Sequence, residues 1–225
     1  MTELILAALA FVGSHLLISS TPLRPVLVAK LGTGPYLGVY SLVAIVSIWW
    51  LVTRYNAAQF VMLWTPLMSL KPVGALLMLI ATFLVVVGLT TPSPTSVGGD
   101  SHVADPTAST GILAITRHPF LWGIAIWAAV HFVINGDAAS CVFFGAMFGL
   151  AVVGGWSIDQ KRRKALGNDW VAFSARTSNL PFLALVQRRT TLKASSIGWW
   201  RVGLAILVYA LLLGAHRHVI GVSPL

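Results

Sequence analysis

The sequence predicts an all-α protein, a polytopic membrane helical bundle of about six transmembrane helices in one domain, residues 1–225. Of the 225 residues, 57% are apolar and 9% are charged, whereas a soluble domain carries about a quarter charged residues. The apolar residues also form six runs, each near the roughly 20 residues that a helix needs to cross the hydrocarbon core. These predicted spans are 3–22, 36–54, 72–90, 113–134, 139–158 and 197–215.

Residues that end helices or form turns separate the predicted spans. Pro22 and the cluster at 32–35 end the first span and start the second. Pro72 falls in the first turn of the third span, where its missing N–H costs nothing. The stretch 91–110 is rich in Pro, Ser, Thr and Gly, which indicates a loop outside the membrane. The tight turn 135–137 predicts that the fourth and fifth spans form an antiparallel hairpin.

Two apolar stretches need a separate interpretation. The N-terminal run carries Glu3 and no Lys or Arg before it, so we interpret it as a retained span rather than a signal peptide. The stretch from Gln59 to Leu70 is too short to span and contains Pro66. We expect it to lie in the interface or re-enter the bundle, with a seventh span as the weaker alternative.

The distribution of Lys and Arg predicts the orientation. Eight of the 15 lie between Lys161 and Lys193, and the loops after the first, third and fifth spans collect 12 in all. Such an excess faces the cytoplasm. We therefore expect a multi-pass protein of the bacterial inner membrane with both termini outside. Clustering in one membrane-flanking loop favours contact with anionic headgroups and excludes a nucleic-acid-binding domain.

The predicted loop from Asp159 to Ser196 has two interpretations. It is either a basic amphipathic segment lying on anionic headgroups or a lid over the cytoplasmic mouth of the bundle. The single cysteine, Cys141, excludes an intrachain disulfide and a Cys-x-x-Cys motif. The sequence has no P-loop, dinucleotide fingerprint, His-Glu-x-x-His motif or Ser-His-Asp set, which disfavours hydrolase, kinase and soluble dehydrogenase functions.

Ionisable side chains inside membrane spans are rare and costly, so His15 and His131 are candidate functional residues. Helical rise places His15 roughly 13 Å from Arg24 and His131 roughly 20 Å from Arg117. Both then fall in the middle third of the membrane, on antiparallel helices. We predict that their imidazoles face each other across a metal ion or a haem plane. The alternative is two buried histidines bonded to Ser14, Asn135 or backbone carbonyls.

The Arg117-His118-Pro119 tripeptide opens the fourth predicted span. One interpretation is an interfacial cap, with Thr116 as N-cap, Pro119 in the first turn and Arg117 reaching toward lipid phosphates. The other is capture of an anion or cofactor at the N-terminus of a helix, which suits a carboxylate or phosphate.

The chain resembles the NnrU family in several blocks. They are Ser14–Leu17, Thr21–Arg24, Lys30, Leu37–Leu42, and Thr116–Pro119 through Trp122 and Gly123 to His131 and Asn135–Asp137. The resemblance covers nearly the whole chain and implies an association with nitrite and nitric oxide metabolism in denitrification. The related plant ζ-carotene isomerases imply haem b, with His15 and His131 as its ligands and His118 as a third family position. The reaction implied is a redox or isomerase-type step on a small hydrophobic or nitrogen-oxide substrate.

The chain is also similar to the isoprenylcysteine carboxyl methyltransferase group. That resemblance rests on Arg117–Pro119, Asp159, Leu166-Gly167 and Leu180–Phe182. It implies S-adenosylmethionine bound by Arg117, His118 and the 159–182 stretch. The chain departs from the pattern in two places: Asp159-Gln160 replaces a glutamate, and Trp170 and Phe173 replace tyrosines. These departures weaken the case for a methyltransferase. A third hypothesis is a non-enzymatic accessory factor of a respiratory complex.

Overall fold

The computed structural model describes residues 1–19 and 21–225, with the backbone alone at 106–107, and these residues form helices and no strand. The α-helices are α1 (Thr2–Gly13), α2 (Leu23–Leu31), α3 (Thr33–Asn56), α4 (Lys71–Thr90), α5 (Ile112–Ile115), α6 (Pro119–Asn135), α7 (Ala138–Arg176), α8 (Leu183–Val186) and α9 (Trp199–Ile220). A π-helical turn, Ser14–Ile18, extends α1. Short 3-10 turns cover Met68–Leu70, Asp100–Ala104, Pro106–Ser109 and Ala194–Ile197. The all-α prediction is confirmed.

Several helices are long and apolar enough to span a membrane, as expected for a membrane protein. In the described part of the chain they are Thr33–Asn56, Met68–Thr90, Ala138–Arg176 and Trp199–Ile220. A fifth span results if α1 and α2, bent by 73° from each other, count as one broken span. α6 is apolar but has 17 residues. Length and composition thus support four or five of the six predicted spans.

The long helices share two ends, which we name by their residues. The basic end carries Arg117, Lys161 and the start of α9, where Arg201 donates to the Thr90 carbonyl (3.1 Å). The turn end carries the Asn135–Asp137 turn and the Glu3–Arg54 ion pair. Helices α1, α4 and α7 run from the turn end to the basic end, and α3, α6 and α9 run in the opposite direction.

The first span ends earlier than predicted. Helical structure that begins at Thr2 stops at Ile18, and α2 leaves in a new direction. The hydropathy of 3–22 does not reveal this end. The Ser19 and Thr21 hydroxyls donate to the carbonyls of His15 and Leu17, so these two polar side chains bond to the preceding turn of the helix. His15 therefore lies one turn before the end of this helical segment, closer to its end than the count from Arg24 places it.

The fourth predicted span, 113–134, is two helices. The backbone breaks after α5 at Thr116, which is extended (φ −155°, ψ 144°), and α6 begins at Pro119. His118, not Thr116, occupies the N-cap position, although the Thr116 hydroxyl accepts from the His118 N–H (3.2 Å). Proline disfavours helical backbone in the residue before it, which explains the interruption inside an apolar run.

The fifth predicted span, 139–158, continues as helix to Arg176, so the first half of the predicted loop 159–196 is helical. The segment 159–176 is too charged for a span, yet its Lys, Arg, Ala and Leu residues favour helix in water. The helix bends at Gly167, whose φ of 53° and ψ of −125° are readily accessible only to glycine. After Arg176 the chain folds back over the basic end, first as the segment 177–182 and then as α8.

The turn end confirms the predicted hairpin of α6 and α7. Gly136 adopts a left-handed conformation (φ 75°), and Asp137 caps α7 by accepting from the Ser140 N–H (2.9 Å). The apolar stretch 59–70 crosses this turn: Met62 pairs with Asp137 in an isolated bridge, and Leu63 donates to the Gly136 carbonyl (2.8 Å). It therefore covers the end of the hairpin and forms no seventh span.

Candidate functional site

A buried polar cluster joins the start of α6 to the middle of α7. The Arg117 Nη2 donates to Asp159 Oδ2 at 2.6 Å, and its Nε lies 2.9 and 3.0 Å from the two carboxylate oxygens. His118 Nε2 contacts Asp159 Oδ1 at 2.7 Å. Side-chain exposure is 14% for Arg117, 13% for Asp159 and 2% for His118. One carboxylate therefore holds both predicted polar residues of the Arg-His-Pro block.

The local backbone explains how these groups meet. The break at Thr116 turns Arg117 and His118 toward α7 before proline starts α6. On α7, Gly155 leaves room for them, because a Cβ there would lie 3.5 Å from the His118 ring and 3.2 Å from the Asn179 amide. Asp159 follows one turn later on the same helix.

The segment 177–182 closes the cluster from the basic end. The Arg117 N–H donates to the Ser178 carbonyl (2.9 Å), and the Thr116 hydroxyl donates to the Asn179 carbonyl (2.6 Å). Trp122 Nε1 donates to the same carbonyl (2.8 Å). The guanidinium of Arg117 also lies 5.8 Å from the centre of the buried Trp170 ring. Arg117 thus points inward, and the expectation that it reaches lipid phosphates is wrong.

A cavity of about 130 Å³ lies beside the cluster, between α6 and α7. Most of its lining is apolar, and Asn179 supplies a polar wall that also faces His118 across Gly155. The cavity opens at the surface of the bundle beside Val152 and Leu180, which are 41% and 55% exposed. Its lining residues are Leu121, Trp122, Ala125, Ala151, Val152, Asn179 and Leu180.

His15 and His131 lie near opposite ends of the bundle. Ser19, one turn after His15, lies 3.5 Å from the Lys161 Nζ, whereas the His131 ring packs on Phe144 with centroids 4.9 Å apart. The His15 ring instead packs on Phe11 and Tyr40, and no ring contact among the described residues joins it to His131. The structure does not bring the two imidazoles together, because the first span ends at Ile18 and His131 is only about 6 Å from the end of α6.

Each imidazole has its own neighbours. His15 bonds through Nδ1 to the Phe11 carbonyl (2.8 Å) and lies against the rings of Phe11 and Tyr40. His131 bonds through Nδ1 to the Trp127 carbonyl (2.8 Å). Both rings therefore make backbone hydrogen bonds of the kind that the alternative interpretation expects. The nearest imidazole to His131 is His216 of α9, with ring centroids 6.5 Å apart.

Two partners of the cluster were not assigned from sequence. The sequence places Asp159 in a cofactor-binding stretch but does not identify it as the partner of Arg117 and His118. It is the single acidic residue between Asp137 and Asp169. An acidic residue at the membrane boundary, in a protein with an Arg-His pair at the same boundary, is the signal that could have found it. Asn179 carries no such signal, because its role depends on the fold of 177–182.

The cluster can act as a fixed, charge-balanced polar wall. The Arg117 and Asp159 charges neutralise each other, and a carboxylate acceptor holds the His118 proton on Nε2. An external anion or cofactor would have to compete with Asp159 for the same donors. In the described part of the chain, no three His, Cys, Asp or Glu side chains gather around a common point.

Comparisons with known proteins agree with the resemblance seen in the sequence. The family model described as NnrU protein matches residues 3–224. The chain is 31% identical over 83 residues to the chloroplastic 15-cis-zeta-carotene isomerase of Arabidopsis thaliana and 30% identical over 83 residues to that of Zea mays. Each match covers 37% of this chain and only 23% of the isomerase. No solved structure matches the chain significantly.

Proposed function

We propose that this chain, which belongs to the NnrU family, has an isomerase-type role on an unsaturated apolar molecule that reaches it from the bilayer. The observation that carries the proposal is the apolar cavity between α6 and α7, which opens on the lipid-facing surface beside the buried Arg117–His118–Asp159 cluster. The similarity to 15-cis-zeta-carotene isomerases supports a polyene as the substrate class.

The residues around the cavity would position the substrate. A volume of about 130 Å³ admits a segment of a long polyene rather than the whole molecule. The Trp122 ring and aliphatic side chains would hold that segment flat against α6, and Asn179 would mark its polar end. The charges of Arg117 and Asp159 are already fixed before substrate arrives, so their field needs no reorganisation during a reaction.

Haem b remains part of the proposal, with a changed ligand arrangement. The chemistry of the imidazoles fits iron, because a backbone carbonyl occupies Nδ1 of His131 and leaves the lone pair on Nε2. His15 and His131 pack on different rings, so the proposal places iron on His131 rather than between the two. When bound, haem iron supplies one-electron or Lewis-acid chemistry, which also suits the nitrogen-oxide redox role that the family suggests.

The test is isomerisation of 15-cis-zeta-carotene in liposomes that contain the purified full chain with haem supplied. Val152 lines the cavity and Val153 does not, yet their exposures are 41% and 43%. We expect Val152→Trp to lower the initial rate at least tenfold and Val153→Trp to leave it within twofold of the unchanged chain. Absence of isomerisation in the unchanged chain, or equal effects of the two substitutions, would contradict the proposal.

A second candidate is an S-adenosylmethionine-dependent methyltransferase. The observation that favours it is the convergence of Arg117, His118, Asp159 and Trp170, which the methyltransferase resemblance assigns to cofactor binding. Equilibrium dialysis with labelled S-adenosylmethionine separates the two functions. Saturable binding of S-adenosylmethionine that is lost in Arg117→Met would favour the methyltransferase function. No binding of S-adenosylmethionine by a chain that isomerises the polyene would rule the methyltransferase function out.

We further propose that the protein lies in the bacterial inner membrane with the basic end toward the cytoplasm and both termini outside. The asymmetry of Lys and Arg supports this orientation and a contact with anionic headgroups. Labelling of single cysteines in a Cys141→Ser background, placed at 188 and at 221, tests it in intact cells. Only the cysteine at 221 should react with a membrane-impermeant maleimide.

A further inference from the structure

A lysine and an arginine from different helices meet at the basic end, where the first helical segment stops. Lys161 of α7 lies with its Nζ 3.5 Å from the Ser19 hydroxyl oxygen. The guanidinium of Arg24, at the start of α2, lies 5.8 Å from the centre of the Tyr36 ring, and the Tyr36 hydroxyl donates to the Ile18 carbonyl (3.3 Å). The two cations therefore lie beside consecutive residues of one helix end, close enough for their charges to interact.

Lys161 differs from the arginines around it in what its charge contacts. Four arginines at the basic end are also half-buried, and each donates to a carboxylate or to a backbone carbonyl: Arg117, Arg162, Arg189 and Arg201. Lys161 is half-buried too, yet in the described part of the chain no carboxylate lies within ion-pair distance of Lys161 or Arg24. The ammonium group carries three donors, and the Ser19 hydroxyl at 3.5 Å accepts from it only weakly. Because a cation withdrawn from water needs a compensating charge, this position favours an anion from outside the chain.

The surroundings of the two cations fit a phosphate group at the level of the lipid headgroups. The rings of Tyr36 and Tyr40 stack beside them, with centroids 6.2 Å apart and 17° between their planes, and tyrosine is typical of the membrane–water interface. In the adjoining turns, the apolar side chains of Leu17, Leu23 and Val26 are exposed. An anion at this position would therefore have an apolar surface next to it, which an acyl chain would cover and a free phosphate ion would not.

From these contacts we propose that Lys161 and Arg24 together bind one phosphate group, and that an anionic phospholipid supplies it. Basic pockets between membrane helices on the cytoplasmic side bind such headgroups. The bound lipid would hold α2 against α7 beyond the 73° bend between α1 and α2. This site is separate from the cavity between α6 and α7. It also goes beyond a general attraction of the basic end for the membrane, because only two of the Lys and Arg residues of that end take part.

The test measures lipid binding to the full chain, purified in a neutral detergent and freed of lipid. Native mass spectrometry counts bound phosphatidylglycerol, and phosphatidylcholine, which has no net charge, is titrated as the control lipid. A parallel equilibrium dialysis uses labelled inorganic phosphate. The substitutions are Lys161→Met and Arg24→Met. Their matched controls are Lys164→Met on α7 and Lys30→Met on α2, because both of these lysines are exposed.

We expect Lys161→Met and Arg24→Met each to weaken phosphatidylglycerol binding at least fivefold, the equivalent of about 1 kcal/mol for one cation at a membrane surface. The two control substitutions, and Lys161→Arg, which keeps the charge, should stay within twofold of the unchanged chain. Equal weakening by all four methionine substitutions would overturn the proposal, because it would show a diffuse surface charge rather than a site. Equal affinities of the unchanged chain for the two lipids would overturn it as well.

The dialysis distinguishes the two sources of the phosphate group. Lipid binding that depends on Lys161, without binding of inorganic phosphate, identifies the headgroup as the ligand. Phosphate binding that is lost in Lys161→Met, without an effect on lipid binding, would keep the site but contradict the lipid. No binding that depends on Lys161 in either experiment would refute both.

Gel-filtration profiles and thermal unfolding show whether each variant folds. Should Lys161→Met not fold, the comparison of Arg24→Met with Lys30→Met decides, because both side chains are exposed and their replacement leaves the packing intact. Binding is measured without a polyene, so its outcome is separate from that of the isomerisation assay.

Discussion

Removing Asp159 should destabilise the fold far more than its single charge suggests. The carboxylate accepts from Arg117 at 2.6 to 3.0 Å and from His118 at 2.7 Å, and all three side chains are at most 14% exposed. Taking away one partner leaves the Arg117 charge buried and unpaired, which costs about 3–5 kcal/mol. Because some water reaches both groups of the ion pair, we expect Asp159→Ala to cost about 3 kcal/mol, the lower end of that range.

The assay is the free energy of unfolding from reversible denaturation by SDS in mixed micelles, followed by tryptophan fluorescence. Glu3→Ala is the control, because it breaks an exposed ion pair. The Glu3 side chain is 68% exposed, and that of its partner Arg54 is 41% exposed. An exposed pair contributes less than about 1 kcal/mol. The double substitution Arg117→Met with Asp159→Leu removes both charges and should recover most of the loss. Equal costs for Asp159→Ala and Glu3→Ala, or no recovery in the double variant, would refute the reasoning.

Two more substitutions test how the helices are held. Gly123→Ala should lower the unfolding free energy by about 1–3 kcal/mol, because a Cβ there would lie 2.7 Å from the Ala81 carbonyl oxygen. Gly149→Ala is its control and should change the unfolding free energy little, because the space around Gly149 is open. Asp137→Ala should cost about 1 kcal/mol in the same assay, because the Ser140 N–H at the start of α7 loses its acceptor. Equal effects at the two glycines, or a neutral Asp137→Ala, would show that these contacts do not determine the packing.

The sequence predicts the helical class and the hairpin well, because apolar runs and turn residues are local signals. Hydropathy cannot show where a helix stops inside or continues beyond an apolar run. The first span therefore ends at Ile18 and α7 reaches Arg176, both against prediction. These two helix ends explain why His15 lies nearer the end of its helix than predicted and why the first half of the predicted loop is helical.

The candidate site is only partly readable from the sequence. The Arg117-His118 block was found because ionisable residues at a membrane boundary are rare. Its partner Asp159 lies 42 residues away, and His216 lies 85 residues from His131. Such pairings depend on how α6, α7 and α9 pack, and no local pattern records that packing.

The segment 177–182 has a consequence for how molecules enter the protein. Six hydrogen bonds join it to 115–122. The donors are the Arg117 N–H and Nη1, the Thr116 hydroxyl, the Trp122 indole, which reaches both oxygens of Asn179, and the Phe182 N–H, which donates to the Ile115 carbonyl (2.8 Å). With the Trp122 N–H counted once, five donors at about 1 kcal/mol each make lifting the segment cost about 5 kcal/mol, so the lifted form would be less than about a thousandth of the population. The segment therefore stays closed over the cluster in nearly all molecules, which favours entry through the cavity opening beside Val152 and Leu180.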